Sequence, residues 1–152
     1  FIIAACGGGG GGDSGYGGGG GATGCTPSTT NLCITVVGGK YVVQNSSSAG
    51  VSQKALTLNA GTYIFDQSDS SNASHPLRLS TTSDGTHGAG SEYTSGVTKT
   101  GTPGTDGKTQ IVISAGTATT LYYYCSSHPG MGGTINIVLG NQSGQVEFTE
   151  TQ

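Results

Sequence analysis

From residue 33 onward, the chain consists of short runs of β-forming residues separated by turn residues. Val, Ile, Leu, Tyr and Thr make up the runs, and Gly, Asn or Pro commonly lies between them. No window of useful length shows the apolar stripe of an amphipathic helix. The runs that predict strands are residues 34–37, 41–43, 56–58, 62–66, 77–79, 111–113, 118–125 and 134–139, with 146–148 as a last strand or frayed end. Many short strands of this kind indicate an all-β sandwich or barrel.

Glycine marks out the remaining segments, since it accounts for 30 of the 152 residues. Residues 7–24 are nearly all glycine and bury too little apolar surface to offset the entropy of ordering them, so they predict a flexible tether. We therefore expect a Gly/Ser/Thr-rich linker over 7–31, a β domain over 32–140 and a C-terminal strand or tail over 141–152. Within the domain, residues 81–109 predict a long glycine-rich loop that is either functional or mobile.

The chain carries few charges, with five Lys and Arg against eight Asp and Glu. It has no basic stripe, which argues against nucleic acid as a partner. It also has no apolar run long enough to span a membrane. Low charge with much Ser, Thr and Gly is common in secreted and surface proteins. Asp66, Asp69, Asp84 and Asp106 lie in turn-like sequences without calcium-loop spacing, so we interpret them as turn formers.

The cysteines suggest an exported protein. Cys25 and Cys33 bracket a short polar loop and could form a disulfide, which would imply an oxidising compartment. Cys6 follows Ile-Ala-Ala and precedes a glycine run, so residues 1–6 resemble a bacterial lipobox, in which the Cys is lipidated. That resemblance implies a periplasmic or cell-surface lipoprotein, with a lipid anchor in the membrane. The alternative is a short apolar N-terminus whose Cys6 is free or bridged between chains.

A soft set of metal ligands lies in residues 122–133, where Cys125, His128 and Met131 are each three residues apart. The preceding strand delivers the Cys, and a Pro-Gly turn returns the His and Met towards it. Thiolate and thioether favour Cu(I) and imidazole suits Cu(II), so the set can hold copper in both states. A trigonal His₂Cys site with a weak axial Met is the blue-copper arrangement, which requires a second His. The sequence offers His75 for that place.

These residues resemble the ligand pattern of the cupredoxins, the plastocyanin, azurin and amicyanin family. The resemblance rests on His75 in a loop after a strand, and on a Tyr-Cys-x-x-His-x-x-Met sequence ending at Met131. It covers roughly residues 34–139, and the short gap between His128 and Met131 is similar to that of amicyanin. It implies a cupredoxin-like Greek-key β-sandwich or barrel with a glycine-rich N-terminal tail. It also implies one type 1 copper that exchanges single electrons with redox protein partners, without catalysis.

The resemblance assigns roles to residues around the ligands. Tyr124 resembles the exposed Tyr beside the Cys in plastocyanin, which lies on a proposed electron path, although three tyrosines are also simply good strand residues. Many family members have an Asn after the first His, where it ties the two ligand loops together. Here Pro76 has no N–H to offer, so Asn72 or Ser74 is expected to take that role. His87, the third histidine, is interpreted as a surface loop residue rather than an extra ligand.

The sequence is also compatible with other functions. The chain could be a structural surface or filament subunit on a cupredoxin scaffold, forming homo-oligomers by packing its glycine-rich N-terminal segments between copies. It could also capture or deliver copper outside the cytoplasm, which the same ligands would serve if the metal exchanged readily. A zinc site is a weaker interpretation because Met is a poor zinc ligand. A Cys nucleophile would need an adjacent base and would leave Met131 without a role.

Overall fold

The computed structural model describes residues 24–140 of the chain. The expectations for Cys6, for residues 7–23 and for a strand at 146–148 lie outside the described residues. The described part contains ten strands and two short 3₁₀ turns. The strands are β1 (Asn31–Val37), β2 (Lys40–Asn45), β3 (Ser48–Ser52), β4 (Leu56–Asn59), β5 (Gly61–Gln67), β6 (Leu77–Ser80), β7 (Val97–Thr100), β8 (Gly107–Ile113), β9 (Thr120–Cys125) and β10 (Gly133–Val138), and the turns are Ser70–Asn72 and Gly85–Gly88.

The strands form two sheets, which confirms the all-β sandwich. One sheet has six strands in the order β3-β2-β1-β5-β8-β7, and the other has four in the order β4-β10-β9-β6. The β1–β5 and β4–β10 pairs are parallel, whereas the other pairs are antiparallel. The Greek-key connectivity stays a prediction. Among residues 24–140, no helix is long and apolar enough to cross a membrane.

The core lies between the two sheets and follows the alternation of each strand. Tyr123 on β9 shows this well, because its ring centroid lies 6.1 Å from that of Phe65 and 6.3 Å from that of Tyr41 on the other sheet. Its hydroxyl donates a hydrogen bond to the Lys54 carbonyl at 2.9 Å. Burial raises the pKa of Tyr123, so the phenol keeps its proton and its hydrogen bond even at the alkaline pH at which an exposed Tyr would titrate.

Two strands were not expected from the sequence, and both are edge strands. β3 reads Ser-Ala-Gly-Val-Ser and has little β propensity, but it pairs with β2. β7 pairs with β8 and lies inside the segment 81–109, where a long loop is predicted. That prediction is wrong for residues 97–100 and 107–109, which belong to β7 and to the start of β8, and the segment also contains a 3₁₀ turn. Both segments form strands because they pair with a neighbouring strand, although their own sequences carry little signal for a strand.

The predicted disulfide between Cys25 and Cys33 is present. It joins the segment before β1 to the third residue of that strand, and neighbouring polar contacts support it. The Asn31 side chain donates to the Thr26 carbonyl at 2.9 Å, and the Asn31 N–H donates to the Ser28 hydroxyl at 2.8 Å. Residues 24–30, which the sequence assigned to the linker, are therefore attached to the β domain.

We expect the free energy of unfolding of the double variant Cys25→Ser, Cys33→Ser to be about 2.5 kcal/mol lower than that of the wild type. The bridged cysteines are 8 residues apart in sequence, and releasing a loop of this length returns about that much chain entropy to the unfolded state. Urea unfolding of the metal-free chain followed by circular dichroism measures the loss. Reduced wild type should match the double variant, and equal midpoints for oxidised wild type and variant would contradict the prediction.

Candidate metal centre

Three side chains of types that can bind a metal ion converge at one end of the sandwich. The Sγ of Cys125 lies 3.9 Å from Nδ1 of His75 and 3.8 Å from Nδ1 of His128. The ligand atoms of all three lie within 4.8 Å of one another. Cys125 is buried, His75 is half-buried and His128 is exposed. The group therefore runs from the core to the surface, with the thiol at its inner end.

The spacing of these atoms fits donors arranged around one ion. Zinc, a first-row ion, has bonds of about 2.3 Å to sulfur and about 2.0–2.1 Å to imidazole nitrogen. With such bonds at a trigonal angle, sulfur and nitrogen would be about 3.8 Å apart, whereas a tetrahedral angle would bring them to about 3.5 Å. The two observed sulfur–nitrogen separations are close to the trigonal value, and the two imidazole nitrogens lie within 4.8 Å of each other. The His75–Cys125–His128 group could thus hold a metal ion.

Strand pairing explains why these side chains meet. Leu77 at the start of β6 is paired with Cys125 at the end of β9, so His75, two residues earlier, lies beside the Cys. The pairing continues one step further, because the Ser126 N–H donates to the Pro76 carbonyl at 3.0 Å. Residues 126–130 then form an exposed turn that contains His128. Gly130, at φ 68°, adopts the left-handed conformation that helps return the chain towards the core.

Met131 re-enters the core directly after this turn. It is 1 % exposed and belongs to the same buried cluster as Cys125. Its carbonyl accepts a hydrogen bond from the Tyr41 N–H at 2.9 Å, which fixes its backbone to β2. A buried thioether is therefore present in the cluster that also holds the thiol, while its role as an axial ligand stays a prediction.

The His75 loop is held by two residues that the sequence analysis missed. The Tyr41 hydroxyl donates to the His75 carbonyl at 2.7 Å, and the Gln67 amide donates to the same oxygen at 2.8 Å. Gln67 also accepts from the Leu77 N–H at 2.9 Å and so fixes the backbone on both sides of Pro76. Strand alternation was the available signal, because it puts Gln67 on the core face of β5 with Phe65.

Burial sets the protonation of two groups here. Burial first, and then the nearby His128, lower the pKa of His75, which favours a neutral imidazole whose free nitrogen can bind a metal. Burial also raises the pKa of Tyr41, with the Cys125 thiol adding to the effect. The Tyr41 phenol therefore stays protonated and keeps its hydrogen bond to the His75 carbonyl.

The expectation of an exposed Tyr124 is wrong. Its side chain points away from the core as strand alternation requires, yet it is only 1 % exposed. The turn Gly85–Gly88 covers it, and a Cβ at Gly85 would lie 2.4 Å from the Tyr124 ring. The His87 ring lies at the edge of the same ring, 6.4 Å away between centroids. A surface electron path through an exposed Tyr124 is therefore excluded.

Neither Asn72 nor Ser74 ties the two ligand loops together in the described structure. Asn72 is buried, donates to the Ile34 carbonyl at 2.7 Å and accepts from Gln67 at 3.1 Å, so it supports the His75 loop from β1. Ser74 is exposed at φ 65°. The prediction is wrong because the backbone makes the connection, through the Pro76 carbonyl. The N–H that Pro76 lacks is not needed for that bond.

His87 is exposed, as expected of a surface loop residue, and it is not part of the metal-binding group of the described residues. It has a contact that the sequence did not suggest, because its Nε2 lies 3.0 Å from the Cys125 carbonyl. A carbonyl only accepts, so this nitrogen carries the proton. His87 thus contacts the backbone of a ligand without being a ligand.

No protein-family model matches the chain, and no curated protein matches its sequence. The function proposed below therefore rests on the arrangement of the side chains and on their chemistry.

Proposed function

We propose that this protein is a type 1 copper protein, similar to the cupredoxins, that carries single electrons between redox partners. The observation that carries the proposal is the thiol of Cys125 at 3.8–3.9 Å from two imidazole nitrogens, at a separation near that of a trigonal site. Met131, buried in the same cluster, supports copper over zinc because a thioether suits Cu(I) and is a poor zinc ligand. His75, Cys125 and His128 would be the equatorial ligands and Met131 the axial one.

Copper in this site would supply a one-electron couple between Cu(II) and Cu(I). The protein holds the donors in nearly fixed positions, since β6–β9 pairing sets the His75–Cys125 separation and the buried Met131 is fixed through its backbone. A rigid donor set limits the rearrangement between the two oxidation states. The exposed His128 leads from the buried thiolate to the surface, within an uncharged turn where a redox partner could dock. No substrate is transformed in this scheme.

Addition of Cu(II) with visible absorption and EPR spectroscopy tests the proposal. The wild type should show an intense thiolate-to-copper band and a narrow copper hyperfine splitting. Cys125→Ser should abolish both, because it removes the thiolate, whereas Ser127→Ala in the same exposed turn should keep both. A colourless wild type, or ordinary tetragonal Cu(II) signals that survive in Cys125→Ser, would refute the type 1 site.

Copper capture or delivery is the second candidate, and the exposure of His128 favours it because an exposed ligand eases entry and release of the metal. Exchange of bound copper with a chelator separates the two functions. Release within seconds would favour delivery, while retention over hours would favour an electron carrier. For either function, the Cys25–Cys33 disulfide supports an oxidising location outside the cytoplasm.

A further inference from the structure

Residues 84–87, called the strap here, lie against the outer face of β9 and touch the ligand loop at two separate points. Asp84 Oδ1 accepts a hydrogen bond from the Gly130 N–H at 2.9 Å. The Nε2 of His87 donates to the Cys125 carbonyl at 3.0 Å. Between these contacts, Gly85 packs on the ring of Tyr124. The strap therefore reaches both ends of the segment 125–131, which contains three of the four proposed ligands.

We propose that the strap fixes the shape of the metal-ligand loop, with Asp84 and His87 as its positioning residues. The expected effect on copper rests on the proposed function, whereas the two contacts themselves do not depend on a metal. Asp84 holds the peptide between Pro129 and Gly130, just upstream of Met131, and His87 holds the carbonyl of Cys125. Together they fix the thioether and the thiolate relative to each other.

The strap can position the loop because its own backbone is fixed. The Gly85 N–H donates to the Thr82 carbonyl at 3.0 Å, and the Gly90 N–H donates to the Gly85 carbonyl at 2.9 Å. Gly85 has a φ of 54° and touches the Tyr124 ring, so a larger residue would be strained and would clash there. The sequence interpretation of Asp84 as a turn former is correct for its backbone, but it omits the carboxylate's contact with Gly130.

Gly130 is held through both of its backbone polar groups, which belong to the two successive peptides on either side of its Cα. Lys40 donates to its carbonyl, and Gln53 donates to the carbonyls of Gly130 at 3.1 Å and Gly132 at 2.7 Å. The Asp84 carboxylate accepts from the Gly130 N–H. Loss of Asp84 would leave this N–H of the exposed turn to water and let the Pro129–Gly130 peptide rotate, which would change the path of the chain into Met131.

Such rotation would reach the metal through the axial ligand. In a blue-copper site, the axial ligand and the hydrogen bonds around the thiolate tune the reduction potential. We therefore expect the strap to act on the potential and on the spectrum, rather than only on stability. A merely structural strap would change the unfolding midpoint and leave both of these properties as they are.

Two pairs of variants distinguish the loss of each hydrogen bond from other effects of the substitution. Asp84 has a φ of 58°, a conformation that both Asn and Gly tolerate, but only Asn keeps an acceptor oxygen. Asp84→Asn is thus the matched control for Asp84→Gly. At the other contact, His87→Gln keeps an N–H donor and His87→Leu removes it. Each variant is made in the full chain.

The first measurement is hydrogen exchange of the Gly130 amide in the metal-free chain by NMR. Asp84→Gly should raise the exchange rate of the Gly130 amide about tenfold, as expected for the loss of one hydrogen bond. In Asp84→Asn the rate should stay near that of the wild type. The second is the reduction potential and EPR hyperfine splitting of the copper-loaded chain, which should shift in Asp84→Gly and His87→Leu but not in their controls. Unchanged Gly130 exchange in Asp84→Gly would overturn the inference, as would unchanged potential and splitting in both test variants. If the wild type binds no copper, the proposed function fails, and the exchange comparison still decides whether the strap holds the loop.

Discussion

Gly132→Ala is expected to destabilise the fold by about 3 kcal/mol or more, the range typical of a severe steric conflict in a packed region. Gly132 links Met131 to β10 and passes very close to β9. A Cβ at this position would lie 1.6 Å from the Tyr123 carbonyl oxygen and 2.9 Å from the Cα of Tyr124. These are backbone atoms of a paired strand, so no side-chain rotation can relieve the clash. Either β9 or the Met131 loop must move.

Gly116→Ala is the matched control, because a Cβ there has no atom within 4 Å and its φ is not in the left-handed region. We expect Gly116→Ala to be neutral or slightly stabilising, since Ala restricts the unfolded chain more than Gly. Urea unfolding midpoints of the metal-free variants measure the difference. Equal midpoints for both variants would show that the backbone of Gly132 does not lie close to that of β9. Copper binding by Gly132→Ala should also weaken, because β9 ends at Cys125.

The sequence predicted the parts of the fold that depend on local pattern. Runs of β-forming residues between turns identified eight of the ten described strands at least in part. Alternation then indicated the inward face of β9, on which Leu121, Tyr123 and Cys125 are buried. The candidate ligands Cys125, His128 and Met131 were also found, because Cys, His and Met at regular spacing carry a chemical signal that does not depend on the fold. His75 followed from the need for a second imidazole.

The sequence did not predict contacts made between distant segments. Tyr124 was expected at the surface because alternation says only that it points outward, and it cannot show that residues 85–88 fold over it. The contacts of Asp84 and His87 with the ligand loop span 46 and 38 residues, so no local pattern encodes them. The edge strand β3 was missed for a similar reason, because its sequence has little propensity and its pairing partner determines its form.

Gln67→Leu is expected to destabilise the protein by about 2–4 kcal/mol and to loosen the His75 loop. Gln67 is 1 % exposed and makes three hydrogen bonds, to the Asn72 side chain, the His75 carbonyl and the Leu77 N–H. Leu has a similar volume, so packing changes little, but the Leu77 N–H and the Asn72 amide oxygen lose a partner in the interior. Each buried group left without a hydrogen bond costs about 1–3 kcal/mol.

Gln110→Leu on β8 makes the same chemical change outside this network, and its unfolding midpoint should stay close to that of the wild type. The loss in Gln67→Leu should be accompanied by weaker metal binding, because the His75 carbonyl would keep only its bond from Tyr41. Copper affinity measured by competition with a chelator should fall about tenfold or more, the usual range for residues that orient metal ligands. A variant that loses stability but keeps wild-type affinity would show that Tyr41 and strand pairing alone orient His75. The stability and affinity results together therefore distinguish a core residue from one that also positions the metal ligand.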